Sequence, residues 1–229
     1  MLSRILLFSG AFLFSISILS AQKIHEVGGY LGLANYQGDF TQANLELTDT
    51  RYAVGVFHRY HFNPKLMLRT NATLARLGGA DENAENDRIR VARNWNFKST
   101  LFEVSTGFEW MPLRKSNYGD TGVYGPQLNP YLFAGLGYAV SNSDLDTSQS
   151  REFQLDETGG SQGMLVVPFG GGLRLDFQER MSVAGEVSWR YTGSDYVDGI
   201  SAGKQINADW YFFAGLSFSY VLGGEEMVK

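Results

Sequence analysis

An alternation of apolar and polar residues, repeated in eight segments of the chain, constrains the fold more than any other feature of the sequence. The last segment shows it best, because every second residue from Trp210 to Leu222 is apolar while Gly215, Ser217 and Ser219 occupy the other face. A period of two residues is typical of β-strands with one apolar face, so the sequence predicts an all-β protein. The segments are Val27–Ala34, Arg51–Phe62, Lys65–Leu77, Ser99–Met111, Pro130–Ser141, Met164–Phe177, Arg180–Thr192 and Asp209–Leu222. The first segment is the shortest, and Ile24 is the alternative start for it.

The composition favours a membrane β-barrel over a bundle of membrane helices. Aromatic residues make up 14% of the chain and charged residues 19%, yet the mean hydropathy is only −0.17. A barrel accounts for this combination because only alternate residues of each strand face lipid. Most segments also reach the length of about 9–11 residues that a tilted membrane strand needs. A soluble β-sandwich is the alternative fold that would show the same alternation.

The aromatic residues and the connections favour the membrane barrel over the sandwich. Aromatic side chains near segment ends resemble the girdles at the two interfaces of a membrane barrel. The connections at Asn63-Pro64 and Gln178-Glu179 are tight, whereas those around 35–50, 78–98, 142–163 and 193–208 are long and polar. The aromatic residues are Tyr52, Phe62, Trp110, Tyr131, Phe177, Trp189, Tyr191, Trp210 and Tyr220.

The N-terminus has the pattern of an export signal. Arg4 is followed by an apolar run from Ile5 to Leu19, and the small residue Ala21 precedes Gln22. The run is shorter than the roughly 20 residues needed to span a bilayer, which favours a cleaved signal peptide over a membrane anchor. We therefore expect a signal peptide at 1–21 and a single outer-membrane β-barrel at 22–229.

Tight and long connections alternate along the chain with one exception. The connection Pro112–Asn129 is long, although its position in the series is on the side of the tight turns. In outer-membrane barrels the short turns face the periplasm and the long loops face the outside. This connection and, because the strand number is even, both ends of the barrel domain are therefore expected at the periplasmic face.

The polar faces of the segments predict what fills the barrel. An eight-stranded barrel has room for side chains but not for a wide channel, and buried charges are tolerated when they are paired. We therefore expect a closed, charge-balanced lumen, with a path for protons or small ions as the alternative. The predicted lumen residues are the bases Arg59, Arg69, Arg174 and Arg190 and the acids Glu103, Glu109, Asp176 and Glu186.

The sequence offers no catalytic, cofactor-binding or metal site. His58 and His61 are three residues apart on a strand and so point to opposite faces, and His25 precedes the first segment. None lies in a long loop, so an enzyme that acts on outer-leaflet lipid with a Ser–His–acid group is disfavoured.

The acidic stretch 81–87 fits a solvated loop better than a calcium site. The run Gly170-Gly171-Gly172 fits a bend or close-packing point better than a phosphate loop.

The net charge and the lack of cysteine limit the classes of binding partner that we expect. The net charge is −5 and there is no cysteine and no basic tract, so a nucleic-acid partner and thiolate chemistry are not expected. Neither a cofactor nor a small-molecule substrate is expected. The expected surroundings of the barrel are outer-membrane lipid.

Five short motifs, in order, resemble one family of small barrels. They are Glu26-Val-Gly-Gly-Tyr-Leu-Gly with Asn35-Tyr36-Gln-Gly-Asp39, Asn129-Pro130-Tyr131-Leu-Phe-Ala-Gly-Leu-Gly137, Pro168-Phe169-Gly170, Glu186 with Arg190-Tyr191-Thr192 and Asp195-Tyr196-Val-Asp198, and Asn207-Ala-Asp209-Trp210-Tyr211. Together they are similar to the PorG-like outer-membrane barrels of Bacteroidota, components of the type IX secretion system. The resemblance extends over nearly the whole of 22–229.

The resemblance implies a non-enzymatic structural or assembly role in type IX protein secretion. It also implies contact with a periplasmic ring built from a lipoprotein and its partner protein. From topology, Pro112–Asn129 and the tail 223–229 are the segments that we expect to contact the ring. The alternative is a small barrel with an envelope-stabilising or surface-binding role unrelated to secretion.

Overall fold

Eight antiparallel strands, joined in chain order, close into one barrel in the computed structural model. The structure describes residues 24–37, 50–80, 96–118, 122–146, 160–193 and 210–222. The expected signal peptide, the acidic stretch 81–87, the tail 223–229 and the motif residues Asp39, Asp195–Asp198 and Asn207–Asp209 lie outside these residues. The strands are β1 (Ile24–Gln37), β2 (Arg51–Asn63), β3 (Leu66–Ala80), β4 (Asn96–Trp110), β5 (Gln127–Asp146), β6 (Gly160–Gln178), β7 (Met181–Thr192) and β8 (Trp210–Val221).

The register of the strands fixes the tilt and the width of the barrel. Following paired residues from His25 once round all eight strands returns to Asn35, ten residues further along β1. A stagger of this kind requires strongly tilted strands, and eight strands enclose an interior that side chains can fill. No helix in the described part of the chain is long and apolar enough to cross a bilayer.

The eight predicted segments are confirmed, and several strands are longer than predicted. β1 extends from Ile24 to Gln37. His25 therefore lies inside this strand, whereas the segment Val27–Ala34 predicts a position ahead of it. β5 and β6 extend beyond the predicted Pro130–Ser141 and Met164–Phe177 because their pairing continues to Ser143 and Gly160. The alternation ends where the outer face becomes polar, whereas backbone pairing continues past that point.

The ends of the barrel differ in their connections. The turn at Pro64-Lys65 is fixed by the Asn63 side chain, whose Oδ1 accepts the N–H groups of Lys65 and Leu66 at 2.8 and 2.9 Å. A second tight turn joins β6 to β7 at Glu179-Arg180. These two turns lie at the same end of the barrel as the connection 111–126, and we call it the short-turn end. The opposite end is the long-loop end. The connection 111–126 is shorter than the predicted Pro112–Asn129 at its far end because Gln127 already belongs to β5.

The outer face is an apolar band. On β2 it runs from Phe62 to Tyr52, which at the usual rise and tilt of barrel strands spans about 25 Å, the height expected for a membrane band. Exposed apolar side chains on all eight strands make up this band. Eight of the nine aromatic residues predicted for the girdles lie on this face, and Tyr131 does not. Tyr131 is two residues from the lumen residue Asn129 and so lies on the same face of β5, with its side chain buried inside the barrel.

Four strands extend past the apolar band at the long-loop end. The outer face of β4 changes from Phe102 to Thr100 and Lys98, and that of β5 changes from Val140 to Asn142 and Asp144. Lys98 and Asp144 lie opposite each other in the register, a favourable pair of charges across two strands. The strands β3 to β6 therefore form a polar extension beyond the membrane band.

Glycine allows adjacent strands to approach closely in the wall. A Cβ at Gly135 would lie 2.7 Å from the Cα of Gly107 on the neighbouring strand. The predicted close-packing role of the glycine run is also confirmed, because a Cβ at Gly171 would lie 2.7 Å from the carbonyl oxygen of Tyr131. Such distances leave no room for a side chain without a movement of the backbone.

We expect Gly135→Val to lower the free energy of unfolding by about 1–3 kcal/mol, because the added side chain meets backbone atoms that cannot yield. The measurement is the urea midpoint of the detergent-refolded protein. Gly29→Val is the matched control, since a Cβ there would lie 3.9 Å from its nearest neighbour on the outer face. Equal midpoints for the two variants would contradict the tight contact between β4 and β5.

Candidate functional site: the barrel lumen and its capped end

Glu26 is the centre of the ion-pair network in the lumen. Its carboxylate accepts hydrogen bonds from Arg59 Nη1 at 2.6 Å and from Arg174 Nη1 at 2.9 and 3.0 Å. The Nε2 atom of His61 lies 2.9 Å from Oε2 of the same carboxylate. All four side chains are buried, so this carboxylate joins β1, β2 and β6 through charged groups shielded from solvent.

A second group of charges lies further round the lumen. Glu109 accepts from Arg59 Nε at 2.9 Å, and Glu186 pairs with Arg69 while accepting the Tyr131 hydroxyl at 2.7 Å. The ring of Phe57 contacts both guanidinium groups, 4.3 Å from that of Arg59 and 4.7 Å from that of Arg69. An aromatic face attracts cations, so this ring offsets part of the repulsion between two neighbouring positive charges.

Glu103 forms the third group, nearest the long-loop end. It accepts the Tyr211 hydroxyl at 2.8 Å and Arg190 Nε at 3.3 Å. The guanidinium of Arg190 also lies 4.0 Å from the centre of the Phe213 ring. These contacts connect β4, β7 and β8 across the lumen.

The structure places all eight predicted lumen charges inside the barrel and adds two more. Glu26 was missed because it precedes the predicted first segment, although its spacing from the other lumen positions of β1 would have assigned it to this face. Arg114 was missed because it lies in a connection, and a period of two carries no information there. Within the described residues the interior thus holds five carboxylates balanced by five arginines.

An apolar layer fills the lumen at the long-loop end. Side chains from seven of the eight strands pack there into one buried cluster above the charged layer. Because this layer and the charged layer are both filled, the described lumen contains no wide aqueous channel. The largest members of the cluster are Tyr30, Leu77, Leu101, Met164, Tyr211 and Phe213.

The connection 111–126 caps the short-turn end. Arg114 Nη2 pairs with Asp176 Oδ2 at 3.3 Å, and the Tyr124 hydroxyl donates to the carbonyl oxygens of Asp176 and Gln178, at 2.9 and 2.8 Å. Met111 at the start of the connection is fully buried and Asn117 in its middle is buried as well. The described residues of the connection, 111–118 and 122–126, are therefore packed against the barrel rather than extended away from it.

The electrostatics of the cap follow from its position over the charged lumen. Burial, and then the positive charge of Arg174, lower the pKa of the Arg114 guanidinium. Burial, and then the nearby Asp176 carboxylate, raise the pKa of Tyr124, which keeps its hydroxyl a neutral hydrogen-bond donor. A small cavity of about 30 Å³ lies beneath the cap, bordered by His61, Arg114 and Asp176.

The three histidines are divided between the two faces of the wall. His61 lies in the lumen beside Glu26, whereas His25 and His58 lie on the outer face, so the predicted opposite orientation of His58 and His61 is confirmed. His25 Nδ1 and His58 Nε2 are 2.9 Å apart. Among the described residues no three or more His, Cys, Asp or Glu side chains form a group that could hold a metal ion.

The fold and the interior together define a small membrane-spanning β-barrel of the outer-membrane type with a filled lumen. The chain belongs to the family described as Domain of unknown function (DUF6089), whose profile matches residues 4–228. No protein among those with curated descriptions matches the sequence.

Several solved structures have a similar fold. The attachment invasion locus protein Ail of Yersinia pestis, in complex with the heparin analogue sucrose octasulfate, aligns with a TM-score of 0.49 and 12% identity, over 88% of this chain and 99% of that one. Neisserial surface protein A gives a TM-score of 0.48 and 11% identity, over 86% of this chain and 95% of that one. A major outer membrane protein of Thermus thermophilus gives a TM-score of 0.45 and 12% identity, over 86% of this chain and 99% of that one. These similarities concern the barrel fold alone.

We expect Glu26→Gln to destabilise the barrel by about 3–5 kcal/mol, because Arg59 and Arg174 would each lose a buried charged partner. Urea unfolding of the refolded protein measures the loss. Glu179→Gln, at the exposed turn after β6, is the control and should change stability by less than about 0.5 kcal/mol. A midpoint for Glu26→Gln equal to that of the control would show that the network does not depend on Glu26.

The filled lumen predicts that the purified protein forms no stable ion-conducting pore. In planar lipid bilayers the wild-type barrel should show no large, reproducible conductance steps, because charged and apolar layers both obstruct the interior. A protein known to form open porin channels, reconstituted in the same way, is the positive control. Large stable steps from the wild-type protein would contradict a closed lumen.

Proposed function

We propose that this barrel is a non-enzymatic structural or assembly component of the type IX secretion machinery, located in the outer membrane and contacting a periplasmic ring. The observation that carries the proposal is the cap 111–126 on the short-turn end, together with the motif resemblance described above. In outer-membrane barrels this end faces the periplasm, where only short turns are needed to join strands. A long connection there calls for a purpose other than joining β4 to β5.

The cap has the features of a contact surface. Leu113 and Val123 are 67% and 68% exposed, while Arg114 and Tyr124 hold the cap against the barrel. Apolar side chains presented on a fixed backbone lose little conformational freedom on binding, which favours association. A ring lipoprotein and its partner protein, approaching from the periplasm, would meet these side chains first.

The filled lumen supports an assembly role over a conducting one. Cargo cannot pass through a barrel of eight strands whose interior is occupied by side chains. The protein would therefore serve the machinery as an anchor in the membrane, with lipid around its outer band and a protein partner at its cap. No catalytic residues are assigned in this proposal.

A different observation favours the second candidate, a surface-binding or envelope-stabilising barrel. The strands β3 to β6 extend past the membrane band, and β6 pairs with β5 as far as Gly160 but with β7 only as far as Val166. Within the described residues β6 thus presents one edge at the long-loop end. An exposed strand edge can bind an extended segment of another protein by strand addition.

Site-specific photo-crosslinking separates the two candidates. A photoreactive amino acid at position 113 or 123 should crosslink to the ring lipoprotein or its partner in intact cells. The matched control is position 136, because Leu136 is as exposed as Leu113, at 68%, but lies on the lipid-facing band. A probe at position 142, on the extension of β5, tests the surface-binding candidate.

The secretion role fails if positions 113 and 123 give no crosslink to the ring proteins and deletion of the gene leaves export of type IX cargo unchanged. Crosslinks from position 142 to a surface protein, with none from the cap, would support the second candidate instead.

A further inference from the structure

The apolar band ends abruptly at the long-loop end of β3 and β4. The last apolar residues on the outer face of these strands are Leu74 and Phe102, which lie opposite each other in the register. The next outward-facing pair towards the loops is Arg76 and Thr100, and both side chains are exposed. The outer face therefore changes within one residue pair from lipid-facing apolar side chains to a guanidinium and a hydroxyl group.

This polar pair belongs to a row that crosses four strands. The Arg76 guanidinium lies 5.7 Å from the centre of the Tyr52 ring on β2, and Asn142 on β5 lies opposite Thr100. Each side chain in the row is exposed and carries an N–H or O–H group that can donate a hydrogen bond, and none is a carboxylate. We call it the donor row, and its members are Tyr52, Arg76, Thr100 and Asn142.

Arg76 gives the donor row its positive charge. Among the residues that the structure describes, Arg76 forms no ion pair, and its contact with the Tyr52 ring leaves the N–H groups at the edge of the guanidinium available. The next row towards the loops holds Lys98 opposite Asp144, so these two charges largely offset each other. The donor row thus presents a cation at the border of the apolar band with no acid in the same row.

The same border is different on the other side of the barrel. On β7 and β8 it is formed by aromatic side chains, and the rings of Tyr191 and Trp210 lie 5.0 Å apart. Aromatic side chains lie at the headgroup level of a membrane without selecting a charge. A selective contact with an anionic headgroup is therefore expected at the donor row rather than on the aromatic side.

We propose that the donor row binds the phosphate group of a lipid in the outer leaflet. The long loops of outer-membrane barrels face the outside, and lipid headgroups begin where the hydrocarbon ends, which is where the donor row lies. The planar guanidinium of Arg76 would donate to two phosphate oxygens, and Thr100 and Asn142 would donate to the same group. The acyl chains would lie along the apolar band beside Leu74 and Phe102. This inference rests on the barrel in its membrane and not on the secretion role.

Native mass spectrometry of the refolded protein in detergent micelles tests the site. The probes are diphosphoryl lipid A, the same glycolipid without phosphate, and inorganic phosphate alone. Wild type should bind one molecule of diphosphoryl lipid A in preference to the other two probes. Arg76→Gln should weaken this binding by about 10-fold or more, because hydrogen bonds from a charged donor to the phosphate are lost.

Lys65→Gln is the matched control, since it removes one exposed positive charge at the short-turn end and should leave the affinity unchanged. The folded state of each variant is checked by its heat-dependent migration on a gel. Equal affinities of Arg76→Gln and Lys65→Gln for diphosphoryl lipid A would overturn the proposal. Equally tight binding of the phosphate-free glycolipid would overturn it too, and equally tight binding of inorganic phosphate would show that the ligand is the free ion and not a lipid.

Discussion

The pairing of buried charges around Glu26 is the interaction on which the interior of this barrel depends. Eight strands with a stagger of ten residues enclose a space that only side chains can fill, and here many of those side chains are charged. Burying one unpaired charge costs several kcal/mol, so the arginines are compatible with this interior only because carboxylates meet them from other strands. Glu26 meets Arg59 from β2 and Arg174 from β6, which ties distant strands to one register.

The wall shows the complementary constraint. Because every second residue faces lipid, the outer side chains must be apolar while their neighbours in sequence carry the charges. Glycine at positions such as Gly107 and Gly135 lets adjacent strands approach where a side chain would not fit. The cap at the short-turn end continues the charged layer, because Arg114 pairs with Asp176 on β6.

The sequence was sufficient for the strands and for most of the lumen, because both follow from a period of two. The same period, applied to Tyr131, would have placed it in the lumen instead of the girdle. What the sequence could not supply were contacts that depend on register, such as that of Arg174 with Glu26, 148 residues away. The contact between His25 and His58 could not be predicted for the same reason, because it depends on the register of β1 against β2. The packing of 111–126 could not be predicted either, because an irregular connection has no periodicity to interpret.

Thiol labelling can test whether the side chains inside the barrel close its lumen to water and small ions. The chain contains no cysteine, so one introduced thiol gives an unambiguous signal. Ser188 is fully buried in the lumen, and Ser116 is exposed on the cap. In the folded barrel, Ser116→Cys should react rapidly with a small charged thiol reagent while Ser188→Cys stays unmodified until the protein is unfolded. Rapid labelling of Ser188→Cys in the folded protein would show that water and ions reach the interior and would contradict the closed barrel.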